Sequence, residues 1–169
     1  MTYKMYIMNF QSAHFGAGTL DSSKMTFAAG RLFSALAIEA KKMGKMEEFV
    51  SLAGQDEFVL TDAFPYQSSP YLPKPIGFPK FEQPDLKTDV KEVRRQAKMA
   101  KKLQFIPLDK FDSFVNGTLF EDAEYAVTNI ITKNQPHVDG HLYQVSTVRF
   151  ADKSALYVIA TESELLNEL

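Results

Sequence analysis

The residues of this 169-residue chain that could do chemistry fall into two groups, one cationic and one built around a histidine. Between Lys91 and Lys102 stand six basic residues, Lys91, Arg94, Arg95, Lys98, Lys101 and Lys102, against one acid, Glu92. At about 100° per residue these cations span an arc of about 120° on a helix, and Val93, Ala97, Met99, Ala100 and Leu103 take the other side. Six cations on one face neutralise several phosphates and release counterions, which gives affinity without sequence preference. The whole chain carries a net charge of −2, so this +5 segment sits in a −7 remainder. The total argues against a nucleic-acid partner, and the local charge argues for one.

The second group is His14-Phe15-Gly16-Ala17-Gly18. It offers an aromatic ring for stacking, an imidazole for a phosphate or base, and glycines that allow positive φ or close approach of a ligand. With no third glycine in place, a dinucleotide fingerprint is excluded. His137 and His141 have the spacing of a helical metal pair, but Pro136 and Gly140 break any helix there and no third ligand completes a site. Ser22, Ser23 and Ser34 lie outside any G-x-S-x-G elbow. The absence of cysteine removes disulfides, thiolate metal sites and a thiol nucleophile. No metal or other cofactor is expected. No run reaches the roughly 18 apolar residues of a membrane span, and MTYKMYIMNF is no signal peptide, so a cytoplasmic protein is expected.

These residues need elements to hold them. Apolar residues make up 45% of the chain and charged residues 24%, which suits a globular core, and a chain of this length buries roughly 70% of its unfolded surface. Tyr3 to Phe10 is apolar on both faces, the pattern of a central strand covered on both sides. Ala28 to Met43 predicts an amphipathic helix with Leu32, Phe33, Leu36, Ala37 and Ala40 on its stripe and Gly44 at its end. A helix over Glu47–Ala53 and a strand over Glu57–Thr61 come next.

From Asp62 to Pro84 lie six of the eight prolines together with five aromatic residues, which predicts an extended loop or edge hairpin. Asp89 with Glu92 is placed to cap the basic helix. Tyr143–Phe150 and Leu156–Ala160 predict a hairpin through residues 151–154. Thr161 with Glu164 predicts the opening of a last helix carrying Leu165, Leu166 and Leu169, which ends after barely two turns. A fragment is therefore expected. The order is that of an α+β, ferredoxin-like (RRM-like) β-α-β-β-α fold lacking its last strand. It is expected as one domain over 1–169, with an insert at 62–141.

Several segments carry a family resemblance: SAHFGAGTLDSSKMTF, RLFSALAIEA, LPKPIGFPK, DVKEVRRQAKMAKKLQF, LYQVSTVRF and LYVIA. Together they span nearly the whole chain, which resembles the fourth-subunit family of the Csm effector complexes of type III-A CRISPR systems, within the RAMP superfamily. The resemblance implies an RNA-binding subunit without catalysis that holds the 5′ repeat-derived tag of the CRISPR RNA and caps the complex. Its implied partners are that RNA, the large Palm-domain subunit, a backbone RAMP subunit and, indirectly, target RNA. The implied RNA contacts are His14, Phe15, Gly16, Gly18, Ser22, Ser23, Lys24, Lys74, Lys91, Arg94, Arg95, Lys98, Lys101 and Lys102. His137 stands partly in for the arginine of an arginine–threonine pattern. Gly30 stands where the family usually carries an aspartate, and the family's later glycine-rich loop and last strand have no counterpart, which leaves Tyr3–Phe10 an apolar edge. Two alternatives stand beside this reading: a metal-independent CRISPR RNA-processing endoribonuclease with His14 as base, and a protein–protein adaptor whose basic helix docks an acidic partner.

Overall fold

The apolar run that ends in Leu156–Ala160 becomes the axis of the molecule. In the computed structural model, which describes residues 2–76, 90–116, 131–134 and 145–169, this strand extends from Ser154 to Thr161, and Ile159 is its one exposed residue. In chain order the described strands are β1 Tyr3–Met8, β2 Ser12–Ala13, β3 Phe15–Gly16, β4 Ser23–Lys24, β5 Phe64–Gln67, β6 Ser69–Pro73, β7 Phe105–Pro107, β8 Ile131–Asn134, β9 Thr147–Phe150 and β10 Ser154–Thr161. The helices are α1 Ala29–Lys42, α2 Met46–Ala53, α3 Val90–Lys102, α4 Phe111–Val115 and α5 Glu164–Glu168. The fold is α+β, with a five-stranded antiparallel sheet in the order β1-β10-β5-β6-β7, a smaller sheet β2-β9-β8 and the two-stranded ribbon β3-β4.

β10 uses both of its edges. Six residues of β1 pair with it from Tyr3↔Thr161 to Met8↔Leu156. On the other edge β5 pairs with residues 154–157, and a bridge joins Leu60 to Ala160. Two hydroxyls complete this second edge: Val59 N–H donates to Thr161 Oγ1 at 2.8 Å, and Ile159 N–H to Thr61 Oγ1 at 2.9 Å. The order of β1, β10 and the 59–67 segment is consistent with a ferredoxin-like sheet.

Several expectations are corrected. The hairpin through 151–154 does not form: the turn at Lys153 (φ +61°) sends β9 and β10 into different sheets, because both edges of β10 are already taken. Thr161 caps no helix; it ends β10, and the position before α5 is Ser163. The proline-rich stretch does form a hairpin, turning at Ser68 (φ +60°), but not at an edge, since β5 and β6 lie between β10 and β7. Only two register pairs join them, Tyr66↔Pro70 and Gln67↔Ser69. Each strand residue aims its N–H at one neighbour only, so prolines fit where no donor is required.

β1 stops at Met8 and, among the described residues, pairs on one side only, leaving Tyr3, Met5 and Ile7 exposed at 58%, 41% and 43%. It is therefore not covered on both faces. The Asp89 cap falls outside the described residues.

The helical patterns hold. α1 buries Ala40 and lays Leu36 and Ala37 against Phe49, Ala160, Leu165 and Leu166. Phe33 meets Phe49 at 5.2 Å between ring centroids. The helix closes with Gly44 N–H donating to the Lys41 carbonyl and Lys45 N–H to that of Ala40, the paired bonds of a Schellman end. An ion pair of Lys45 with Glu168 and a bond from Lys4 Nζ to Asn167 Oδ1 at 2.7 Å fasten α5. β1, α1 and α5 enclose an apolar groove of about 310 Å³ lined by Met8, Leu36, Leu166 and Leu169. No described helix is long and apolar enough to cross a membrane.

Tyr157, 1% exposed, donates its hydroxyl to the Tyr71 carbonyl at 2.9 Å and so ties β10 to β6. Burial pushes the Tyr157 phenol above its ordinary value of about 10, and does the same to Tyr71, where the Asp109 charge adds to the effect. A raised folded-state value means that the folded chain holds these protons more tightly than the unfolded one. Their contribution is therefore complete below pH 10 and is lost as pH rises through the folded values. Tyr157→Phe is expected to cost about 1 kcal/mol in urea unfolding at neutral pH and to flatten the fall in stability above pH 10. An alkaline slope equal to that of the unsubstituted chain would contradict this.

Candidate nucleic-acid interface

The histidine group is held by the small sheet. Beyond β1 the chain enters β2, where Ser12 and Ala13 pair with Arg149 and Val148 of β9. This brings His14 to the start of β9, and its Nδ1 lies 2.6 Å from the Ser146 carbonyl oxygen. The Ser146 N–H donates in turn to the Leu20 carbonyl at 2.8 Å. The chain then forms a two-stranded ribbon, with Phe15 paired to Lys24 and Gly16 to Ser23. The buried Ser23 hydroxyl accepts from Phe15 N–H at 2.9 Å and donates to the Lys24 carbonyl at 3.0 Å, so it serves the ribbon itself. Thr19 and Ser22 join hydroxyls across the turn at 3.0 Å. Gly18 there has φ +107°, which side chains rarely adopt.

The Phe15 ring, expected to stack on a base, packs instead among Phe27 (5.1 Å), Phe10 (5.7 Å) and Phe150 (6.4 Å). Lys24 is exposed beside it.

A residue that the sequence did not single out completes this corner. The start of α1, where Gly30 stands in place of the family's usual aspartate, is held from a distance: Asp62 Oδ1 accepts from Ala29 N–H at 2.7 Å. The first turn so fixed carries the exposed Arg31. A Cβ on Gly16 would lie 3.2 Å from Arg31 Nη1 and 3.7 Å from His14 Nε2, so both side chains border one point beside the glycine. In the sequence Arg31 is a lone cation ahead of an apolar stripe, and only tertiary contact brings it 15 positions back along the chain.

The cationic group stands elsewhere. All six basic residues of α3 are exposed, whereas Ala100 is 1% exposed and packs with Leu103 against Ile106, Phe111 and Phe114. Lys74 joins this group but not as a free cation. Its ammonium donates to the Lys101 carbonyl at 2.9 Å and the Ala100 carbonyl at 3.3 Å, where it complements the negative end of the helix. His137 and His141 lie outside the described residues, and among those described no three metal-ligating side chains cluster.

The chain is 64% identical over all of its 169 residues to the CRISPR system protein Csm4 of Streptococcus thermophilus, covering 56% of that protein. It is 30% identical to Csm4 of Mycobacterium tuberculosis over 97% of its length and 55% of that protein.

The chain belongs to the Csm4 family.

It spans a little over half the length of the curated Csm4 proteins it matches. No family model matches it. Among solved structures it is similar to a chain of a Csm1–Csm4 cassette in complex with cA4, with TM-score 0.63, 19% identity, and 98% of this chain and 61% of that one covered. It is also similar to a chain of a Csm3–Csm4 subcomplex of the type III-A CRISPR-Cas interference complex, with TM-score 0.58, 14% identity, and 97% and 60% covered. At these identities the likeness establishes the shared fold.

The two glycines of the ribbon have different duties, and substitution separates them. Gly18→Ala forces a side chain into a positive-φ conformation and is expected to cost about 1–3 kcal/mol in urea unfolding. Gly16→Ala presses on the movable end of Arg31 at 3.2 Å and meets His14 Nε2 at an ordinary contact distance of 3.7 Å, and is expected to change stability by less than about 0.5 kcal/mol. Equal losses would refute the distinction.

Proposed function

We propose that this Csm4-family chain is an RNA-holding structural part of a type III-A CRISPR effector complex, without chemistry of its own, acting in antiviral defence in the cytoplasm. It holds the 5′ repeat-derived tag of the CRISPR RNA and caps one end of the assembly. Its protein partners are a Csm1-type large subunit and a Csm3-type backbone subunit, the companions named with Csm4 in the solved structures it is similar to. Target RNA is reached only through the assembly.

The observation that carries the reading is α3. Six exposed cations share a helix whose Ala100 is anchored in a core cluster, so the charge is presented outward on a fixed element. For Arg94, Lys98 and Lys102, none of the described carboxylates stands within ion-pair distance. Such an array binds phosphates by counterion release and needs no base contacts. The His14 corner, with Lys24 and Ser22, supplies a second and more directional contact. Phe15 and Ser23 act there as scaffold, and Lys74 acts by holding the end of α3.

Binding to single-stranded RNA is expected to weaken with salt. Arg94→Ala with Arg95→Ala should lower the slope of log affinity against log salt by about 1.4, for two phosphate contacts at about 0.7 each. Fluorescence anisotropy over a range of roughly 50 to 200 mM salt measures it, and an unchanged slope removes α3 from the interface. Incubation with labelled repeat RNA tests the absence of chemistry: site-specific cleavage abolished by His14→Ala would establish the endoribonuclease in its place.

A further inference from the structure

We infer that His14, Gly16 and Arg31 form a ribose–phosphate subsite that tells RNA from DNA at one nucleotide, with His14 Nε2 accepting the 2′-hydroxyl and Arg31 taking the adjacent phosphate. The inference rests on the RNA-holding function proposed above and adds to it a residue and a source of specificity.

The tautomer is fixed by the scaffold. The Ser146 carbonyl oxygen has lone pairs only, so the 2.6 Å contact requires His14 Nδ1 to carry the proton. Neutral imidazole has one N–H, which leaves Nε2 a bare acceptor. Ser146 is itself held, since its N–H bonds to Leu20 and β9 starts directly after it, so the ring has no freedom to exchange roles.

The neighbour of that acceptor is a guanidinium. Arg31 Nη1 and Nη2 lie 3.2 and 3.9 Å from the point beside Gly16 that is 3.7 Å from Nε2. Among the described residues no carboxylate pairs with Arg31. An acceptor and a cationic donor fork that border one point make a mixed site. A bare anion such as sulfate would satisfy Arg31 but present a lone pair to Nε2. A neutral donor would satisfy Nε2 and leave the cation unmatched. A hydroxyl on the carbon next to a phosphodiester satisfies both, and the ribose 2′-OH beside its 3′-phosphate is that group. Glycine at position 16 keeps the approach open, because any side chain there occupies the point the two groups share. Deoxyribose offers the phosphate without the donor, so its phosphate still finds Arg31 while Nε2 loses its partner.

The test compares a single-stranded RNA with 2′-deoxy versions of the same sequence, uniform and then one position at a time, by anisotropy at fixed salt. The unsubstituted chain is expected to bind the RNA roughly 3- to 10-fold more tightly than the uniform deoxy strand, with the loss concentrated at one position. His14→Asn keeps a donor amide for the Ser146 carbonyl but has no atom in place of Nε2. It is expected to fold, checked by circular dichroism, and to lose the preference for RNA over the deoxy strand. Arg31→Ala is expected to weaken both strands equally and to lower the salt slope by about 0.7. Equal binding of RNA and deoxy strand by the unsubstituted chain, a preference retained in His14→Asn, or a loss spread evenly over all positions would each overturn the subsite while leaving RNA holding intact. Absence of salt-dependent binding to any strand would instead overturn the RNA-holding function, and the subsite with it.

Discussion

The structure depends on the burial of β10 with hydrogen bonds along both of its edges. Seven of its eight residues are withdrawn from solvent, so its backbone groups have only protein partners, and each must be met. β1 meets them on one side along six residues. On the other side a regular ladder with β5 covers residues 154–157; beyond it Leu60 bridges Ala160, Ile159 N–H donates to Thr61 Oγ1, the Ile159 carbonyl accepts from Thr61 N–H, Thr161 N–H donates to the Val59 carbonyl, and Val59 N–H donates to Thr161 Oγ1. A threonine on each segment supplies the acceptor that an interrupted ladder lacks. Strand register, the close approach of residues 59–67 and the alignment of β1 all result from this one requirement.

The same requirement generates the functional geography. Because neither edge of β10 is open, β9 must find partners elsewhere, and it takes β2 and β8. That second sheet sets Ser146 against His14. Asp62, just beyond the Thr61 junction, reaches the first amide of α1 and so fixes the turn that carries Arg31. The His14 corner is thus assembled from four separated parts of the chain. The far side of the main sheet ends in β7, and there Ile106 joins Ala100 and Phe114 to hold α3 with its cations outward.

Legibility in the sequence tracks the range of the interactions involved. α1 and α3 carry their apolar residues at helical spacing, and the bounds of α1 and α2 lie within a residue of those expected. β10 was visible as an apolar run. The hairpin expected through residues 151–154 failed because its turn signal is real while strand pairing is decided by competition for edges, which no local pattern records. The prolines of residues 65, 70 and 73 argued against an interior place in the sheet. The structure accommodates them through a ladder of two register pairs, a length that composition does not reveal. At the sites, the cations of α3 were legible because charge on one face is a periodic signal. Lys74 was recognised as a cation, but its employment at the end of α3 spans 27 positions and leaves no trace in spacing. Arg31 was missed for the same reason.

The two sites also differ in the kind of information they can carry. The cations of α3 act through charge, which a counterion atmosphere transmits regardless of base or sugar, so they grip without discriminating. Discrimination needs a directional group whose donor or acceptor character cannot adapt to the ligand. A serine hydroxyl would rotate to suit either partner, and a lysine donates to any acceptor. An imidazole with one nitrogen committed to a backbone carbonyl does neither: its second nitrogen is an acceptor for as long as the ring is neutral. The backbone commitment at Ser146 therefore does more than place His14. It turns an adaptable side chain into a fixed one, and the strand that supplies that carbonyl is the one β10 excluded from its own sheet.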